Sequence, residues 1–217
     1  MTKVLRKERE FHQREREILE AALDLFDHTQ WDKITVAQIA KHAGIGKGTV
    51  YKHFASKEDI YARLAMEDAE QMLHDLQGFL GRGRGLDQLR KLLEYCFECH
   101  LRSPVTDSLH MYCKQLNIRG RISPEYQQGI KQTDEAFMNL FTQPIVQGIE
   151  EGDIADLPLE TLFAGMHATF EGALQMLRNK EFSQHELNGR PVNADEFIGM
   201  TVDYMMAALA GMPSRQE

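Results

Sequence analysis

Apolar residues in this chain recur at every third or fourth position almost from one end to the other, and nowhere do they alternate. That period is the mark of amphipathic helices. The complementary strand signal, an alternating β-branched run bounded by turn residues, does not occur. Ile18, Leu19, Ala22, Leu23, Leu25 and Phe26 form one stripe on a first helix expected to end near His28. Thr35 is a side-chain cap for a second helix over residues 36–43, and Ser56 caps a fourth that should reach about Leu80. Between them Gly44–Ile45–Gly46 makes a turn, and a third helix follows over about Lys47–His53.

Gly81–Arg82–Gly83–Arg84–Gly85 is a helix-breaking connector. Beyond it the pattern predicts helices at about Leu86–Arg102, Asp107–Asn117, Ser123–Glu151, Pro158–Asn179 and Ala194–Ala210. Pro144 falls inside the third of these and is expected to kink or split it. The expectation is an all-α chain of about nine helices. A three-helix helix-turn-helix domain at residues 1–57 precedes a larger helical bundle at residues 58–217.

Charge singles out one part of this helical chain. The formal net charge is −8, yet the 25 residues from Lys33 to Lys57 hold five lysines and no Asp or Glu. Phosphate contacts are local, so an acidic protein can bind DNA if its positive charge is gathered on the docking face. In a helix-turn-helix the second helix enters the major groove. Ile39, Ala40, Ile45, Val50 and Phe54 would form the small supporting core, leaving Gly48, Thr49, Tyr51, Lys52 and His53 exposed. Residues 3–16 are rich in Lys and Arg but interleaved with Glu8, Glu10 and Glu15. They read equally as a groove-tracking arm or as a solvated helix face.

The run Thr35-x-x-x-Ile39-Ala40-x-x-Ala43-Gly44-Ile45-x-x-Gly48-Thr49-Val50-Tyr51-x-His53-Phe54-x-Ser56-Lys57-Glu58 resembles the DNA-binding signature of the tetracycline-repressor (TetR) family of bacterial regulators. The resemblance covers about the first 60 residues. It implies Thr35 and Lys57 as phosphate contacts, Lys47, Gly48 and Thr49 as the residues nearest the bases, and Tyr51 and His53 as further DNA contacts, with Lys52 between them a candidate by its expected exposure. No long Arg or Gln opens the recognition helix, so reading of guanine would rest on Lys47 and specificity would lean on DNA shape.

The same resemblance implies a homodimer built on the last two helices, with Leu162, Met166, Ala173, Leu177, Phe197, Val202, Met205 and Leu209 at the interface. It also implies a pocket for a small organic effector in the larger domain. Tyr95, Cys96, Cys99, His100, His110, Met111, Met166, His167, Phe170 and Glu171 are the candidate lining. The partners expected are therefore double-stranded operator DNA, a second copy and an effector, in a ligand-responsive regulator, with no cofactor and no metal.

Two alternatives stay open: a DNA-bound adaptor without a transcriptional role, and a metal or redox sensor using Cys96, Cys99 and His100. An enzyme is not expected, since the chain lacks H-E-x-x-H, G-x-S-x-G and a phosphate-cradling glycine loop. Three cysteines and a charged start without an apolar core suit the cytoplasm.

Overall fold

The computed structural model describes residues 3–26, 30–184, 186–187 and 189–211. Among them ten α-helices follow one another: α1 (Lys3–Phe26), α2 (Val36–His42), α3 (Lys47–Val50), α4 (Lys57–Gln77), α5 (Gly85–Arg102), α6 (Pro104–Lys114), α7 (Leu116–Arg119), α8 (Pro124–Glu150), α9 (Leu159–Arg178) and α10 (Ala194–Gly211). Short 3-10 turns stand at Trp31–Lys33 and Glu181–Gln184. The fold is all-α as expected, with one addition: Glu186–Leu187 pairs antiparallel with Arg190–Pro191 in a two-residue ladder. The expected end of the first helix near His28 lies outside the described residues.

Two compact units divide the chain. The first comprises Met1–Glu70 and Ser103–Thr133, the second Gln71–Arg102 and Asp134–Glu217. Compactness therefore does not follow a single cut in the sequence, and α4 and α8 each supply residues to both units.

In the first unit α1 buries Ile18, Leu19, Ala22 and Phe26 of the stripe read from the sequence, together with Ala21, while Leu25 is half-buried and Leu23 exposed. They join Ile39, Ala40, Val50, Phe54, Ile60 and Tyr61 in one core, to which α6, α7 and the start of α8 add Leu109, Cys113, Ile118 and Ile130. One buried carboxylate ties this core to its later elements. Asp59, 1% exposed, accepts hydrogen bonds from the Ser123 backbone N–H (2.7 Å) and the Ser123 hydroxyl (2.6 Å). The Asp59 N–H in turn donates to Ser56 Oγ at 3.0 Å, the expected cap of α4. The stretch expected as one helix at Asp107–Asn117 is two, α6 and α7, because Gln115 adopts an extended backbone (φ −64°, ψ 135°) and Pro104 starts α6 earlier.

In the second unit α8 runs uninterrupted past Pro144 instead of splitting there. The proline removes one helical N–H, but Pro144 and its neighbour Ile145 are buried, and packing holds the helix through the defect. Fully buried Gln88 fastens the glycine connector. Its side-chain oxygen accepts from the Gly81 N–H, and its nitrogen donates to Gly83 O (2.9 Å) and Gln147 Oε1 (2.8 Å). Arg84 pairs with Asp153 beside it. The main cluster takes Leu89, Leu93 and Phe97 from α5, Leu162, Met166, Ala173, Leu174 and Leu177 from α9, and Val202, Met205, Met206 and Leu209 from α10.

Candidate nucleic-acid interface

Thr35 has an extended backbone and accepts a hydrogen bond from the Gln38 N–H (3.3 Å). Gln38 Oε1 accepts from the Thr35 N–H (2.9 Å) and hydroxyl (2.8 Å), completing a reciprocal capping box. The Thr35-x-x-Gln38 spacing signals this in the sequence. Thr35 is exposed, but its hydroxyl is already engaged within α2.

At the other end of α2, Gly44 takes the left-handed conformation (φ +67°). The Ile45 N–H reaches back to Ala40 O (2.9 Å) and the Gly44 N–H to Lys41 O (3.2 Å), a Schellman stop that only a residue at ease with positive φ allows cheaply. Gly46 then caps the single-turn α3 with its backbone. Val50 and Phe54 point into the core at 0% and 2% exposure.

What remains outward is a compact cationic and aromatic face. Lys47, Gly48, Tyr51 and Lys52 are exposed, and Thr49 is half-buried. The Lys47 ammonium sits 5.6 Å from the centre of the Tyr51 ring, which is 47% exposed. A side chain at Gly48 would meet no protein atom within 4 Å, so its smallness leaves room outside the chain.

Two candidate contacts are placed differently from expectation. His53 was expected to be exposed, but its side chain is 7% accessible, under the Phe11 ring of α1 at 4.1 Å between centroids. Its Nδ1 is buried without a hydrogen bond, 3.9 Å from Glu15 Oε1. The reading failed because Phe11 lies 42 residues earlier, inside a charged run. Its spacing of seven from Ile18, two helical turns on one face, was the available signal. Lys57, half-buried, donates from Nζ to Asp32 O (2.9 Å) and lies 5.2 Å over the Tyr61 ring. The Tyr61 hydroxyl donates to Trp31 O, so both side chains hold the turn before α2.

Burial pushes the His53 pKa below its ordinary value, opposed by Glu15 and aided by Arg14 and Lys52. A lowered folded-state pKa means that the unfolded chain takes up the proton first as pH falls. The associated stability is fully present above about pH 6.5 and is lost as pH drops below it. Thermal unfolding followed between about pH 7.5 and pH 5.5 should therefore show a smaller decline in His53→Gln than in the unaltered chain. Parallel declines in the two would remove His53 as the cause.

The effector candidates fall in both units. In the second, the Tyr95 hydroxyl donates to Asp75 Oδ2 (2.6 Å), and its ring packs 5.4 Å from Phe79. Phe170 lies 4.4 Å from Phe97 and 5.6 Å from His100, centroid to centroid. Cys96 and Met166 are buried, Cys99 and Glu171 half-buried, and His167 exposed. His110 (half-buried) and Met111 (exposed) belong to the first unit. Burial pushes the Cys96 thiol up, and the Cys113 thiol to about 12, which disfavours the thiolate that metal binding and redox exchange require. No group of three or more His, Cys, Asp or Glu among the described residues could hold a metal.

The expected interface residues on α9 and α10 pack mostly inward. Leu162, Met166, Ala173, Leu177, Val202, Met205 and Leu209 are buried within the chain's own core, and Phe197 is half-buried. The outward faces carry other residues: Ala164, Gly165, Ala168 and Gly172 on α9, Met200 and Tyr204 on α10. Both helices are apolar on more than one side, and the larger residues went inward.

The ten helices, the capped helix-turn-helix and its acid-free outer face define a DNA-binding protein of the helix-turn-helix class. Residues 18–64 match the family of bacterial regulatory proteins, tetR family. A fatty acid metabolism regulator protein of Bacillus subtilis is 24% identical over 140 residues, covering 64% of this chain and 70% of the relative. An HTH-type transcriptional repressor of Mycobacterium tuberculosis is 36% identical over 59 residues, 27% of this chain and 32% of the relative. Among solved structures, the transcriptional regulator FadR from Bacillus subtilis in complex with stearoyl-CoA superposes with a TM-score of 0.64 at 18% identity. That superposition covers 91% of this chain and 99% of the other. Residues 18–64 are thus similar to the tetR family of bacterial regulatory proteins, and the chain as a whole shares the all-α fold of the solved regulator. Among the described residues no helix is long and apolar enough to cross a membrane.

Proposed function

We propose that this regulator is a repressor that binds a palindromic operator as a homodimer and is released by an organic effector carrying a long acyl chain. The exposed Lys47–Tyr51 face of α3 carries the DNA half of this reading: an ammonium and an aromatic ring stand together beside Gly48 and Lys52, with no acid from Lys33 to Lys57. The outward faces of α9 and α10 support the dimer, because Ala164, Gly165, Ala168 and Gly172 allow close helix approach and Met200 and Tyr204 supply apolar area.

The acyl effector rests on reach. The similarity to the fatty acid metabolism regulator extends over 140 residues, well beyond the 47 positions of the matched DNA-binding segment. The apolar, aromatic surroundings of Phe97 and Phe170 suit a hydrocarbon chain. An operator selected from random duplexes supplies the assay. Tyr51→Ala should weaken binding to it about tenfold with an unchanged melting temperature. Palmitoyl-CoA should release the unaltered protein from DNA and raise its melting temperature, whereas coenzyme A alone should do neither. Retained affinity in Tyr51→Ala would remove this face as the DNA contact, and indifference to palmitoyl-CoA would remove the acyl effector.

A further inference from the structure

The helix α1 begins at Lys3, fifteen residues before the segment that matches the family. Those residues rise about 22 Å along a helix, the length of roughly six base pairs. This forward part is held by internal pairs: Arg6 with Glu10, Arg14 with Glu17, His12 with Glu15. It is also held to the end of the helix-turn-helix, since the Phe11 ring packs tilted against His53 (4.1 Å between centroids, 35° between ring planes), whose side chain is 7% accessible.

Helical geometry then fixes which side of α1 lies toward His53, at the end of the helix-turn-helix. At 100° per residue, Lys7, Phe11, Arg14 and Ile18 lie on one side, and Ile18 is buried in the core while Phe11 touches His53. Arg14 and Lys52 both act electrostatically on His53. Lys7 is exposed and has no carboxylate partner among the described residues. Arg9 is exposed on the opposite side of the same helix.

We propose that the forward part of α1 is a second DNA-binding surface, in which Lys7 contacts a backbone phosphate flanking the bases read by α3. Phe11 on His53 is the joint that sets its position. The arm is thus a rigid helical extension of the recognition element. The proposal rests on the DNA-binding reading above and adds a contact outside the family-matched segment. Phosphate recognition of this kind is independent of sequence and visible in the salt dependence.

The test measures affinity for the selected operator, with its flanks intact, across a salt series. Lys7→Ala should weaken binding two- to fivefold and lower the slope of log K against log salt by about 0.9, the value for one phosphate contact. Lys7→Arg should restore both, Arg9→Ala should change neither, and Phe11→Ala should reproduce the loss of slope without removing a charge. An Arg9→Ala effect equal to that of Lys7→Ala would reduce the result to net charge and overturn the proposal. Unchanged slopes in Lys7→Ala and Phe11→Ala, with Tyr51→Ala still impaired, would overturn it and leave the DNA reading standing. Failure of the unaltered protein to bind any duplex would overturn both.

Discussion

Gly85→Ala should lower the unfolding temperature by about 10 °C, from a loss of about 3 kcal/mol at roughly 2–4 °C per kcal/mol for a chain of this size. Gly85 opens α5 where its backbone lies directly against α8. A methyl group there would overlap the Pro144 carbonyl oxygen and the Gly148 nitrogen, with the Gly148 Cα only 2.9 Å away. All three are backbone atoms, so no rotamer change relieves the overlap, and one helix must move from the other. The displacement would also break the Gly85 N–H bond to Glu151 (2.8 Å). Gly120→Ala is the matched control: its backbone is right-handed (φ −67°, ψ −8°) and a side chain there meets nothing within 4 Å. Scanning calorimetry on the two variants decides the matter, and equal melting temperatures would mean that the close approach is not required.

Asp59→Ala should cost about 3 kcal/mol by a different route. The carboxylate is 1% exposed and accepts two hydrogen bonds from Ser123. Bonds to a charged acceptor contribute about 1.5–3 kcal/mol each, and their removal would strand a buried N–H and hydroxyl. Asp59→Asn keeps one acceptor oxygen and should lose about half as much. Urea unfolding followed by circular dichroism reads both. Equal stability of the alanine variant and the unaltered protein would show that Ser123 finds other partners without cost.

The elements legible in the sequence are those set by neighbouring residues. Thr35 announced α2, Gly44 announced the turn, and Ser56 announced α4, because caps and left-handed turns are decided within a few residues. The Lys47–Tyr51 face was legible for the same reason: absence of acid over 25 residues is a local property. What failed to show depended on distant partners. His53 looked exposed beside Lys52, yet Phe11 packs on its ring and Glu15 lies 3.9 Å from its Nδ1, both from α1. The stripe Leu162–Leu177 looked like a surface for a second copy, yet a helix apolar on two sides does not say which side its own core takes. Pro144 was expected to kink or split α8, and the helix continues through it without a split because tertiary packing holds it.

The tie between Asp59 and Ser123, and the shared core around Ile60, Leu109 and Ile130, bear on how this protein can be taken apart. A fragment ending soon after Lys57 would keep every residue of the helix-turn-helix motif yet lose Leu109, Cys113, Ile118, Ile122 and Ile130 from the surface those residues cover. Chimaeras that exchange only the amino-terminal motif between regulators would inherit that mismatch along the seam. A graft that carries residues 103–133 together with residues 1–70 moves the whole packed unit, and that is the natural cassette for giving this reading head to another protein.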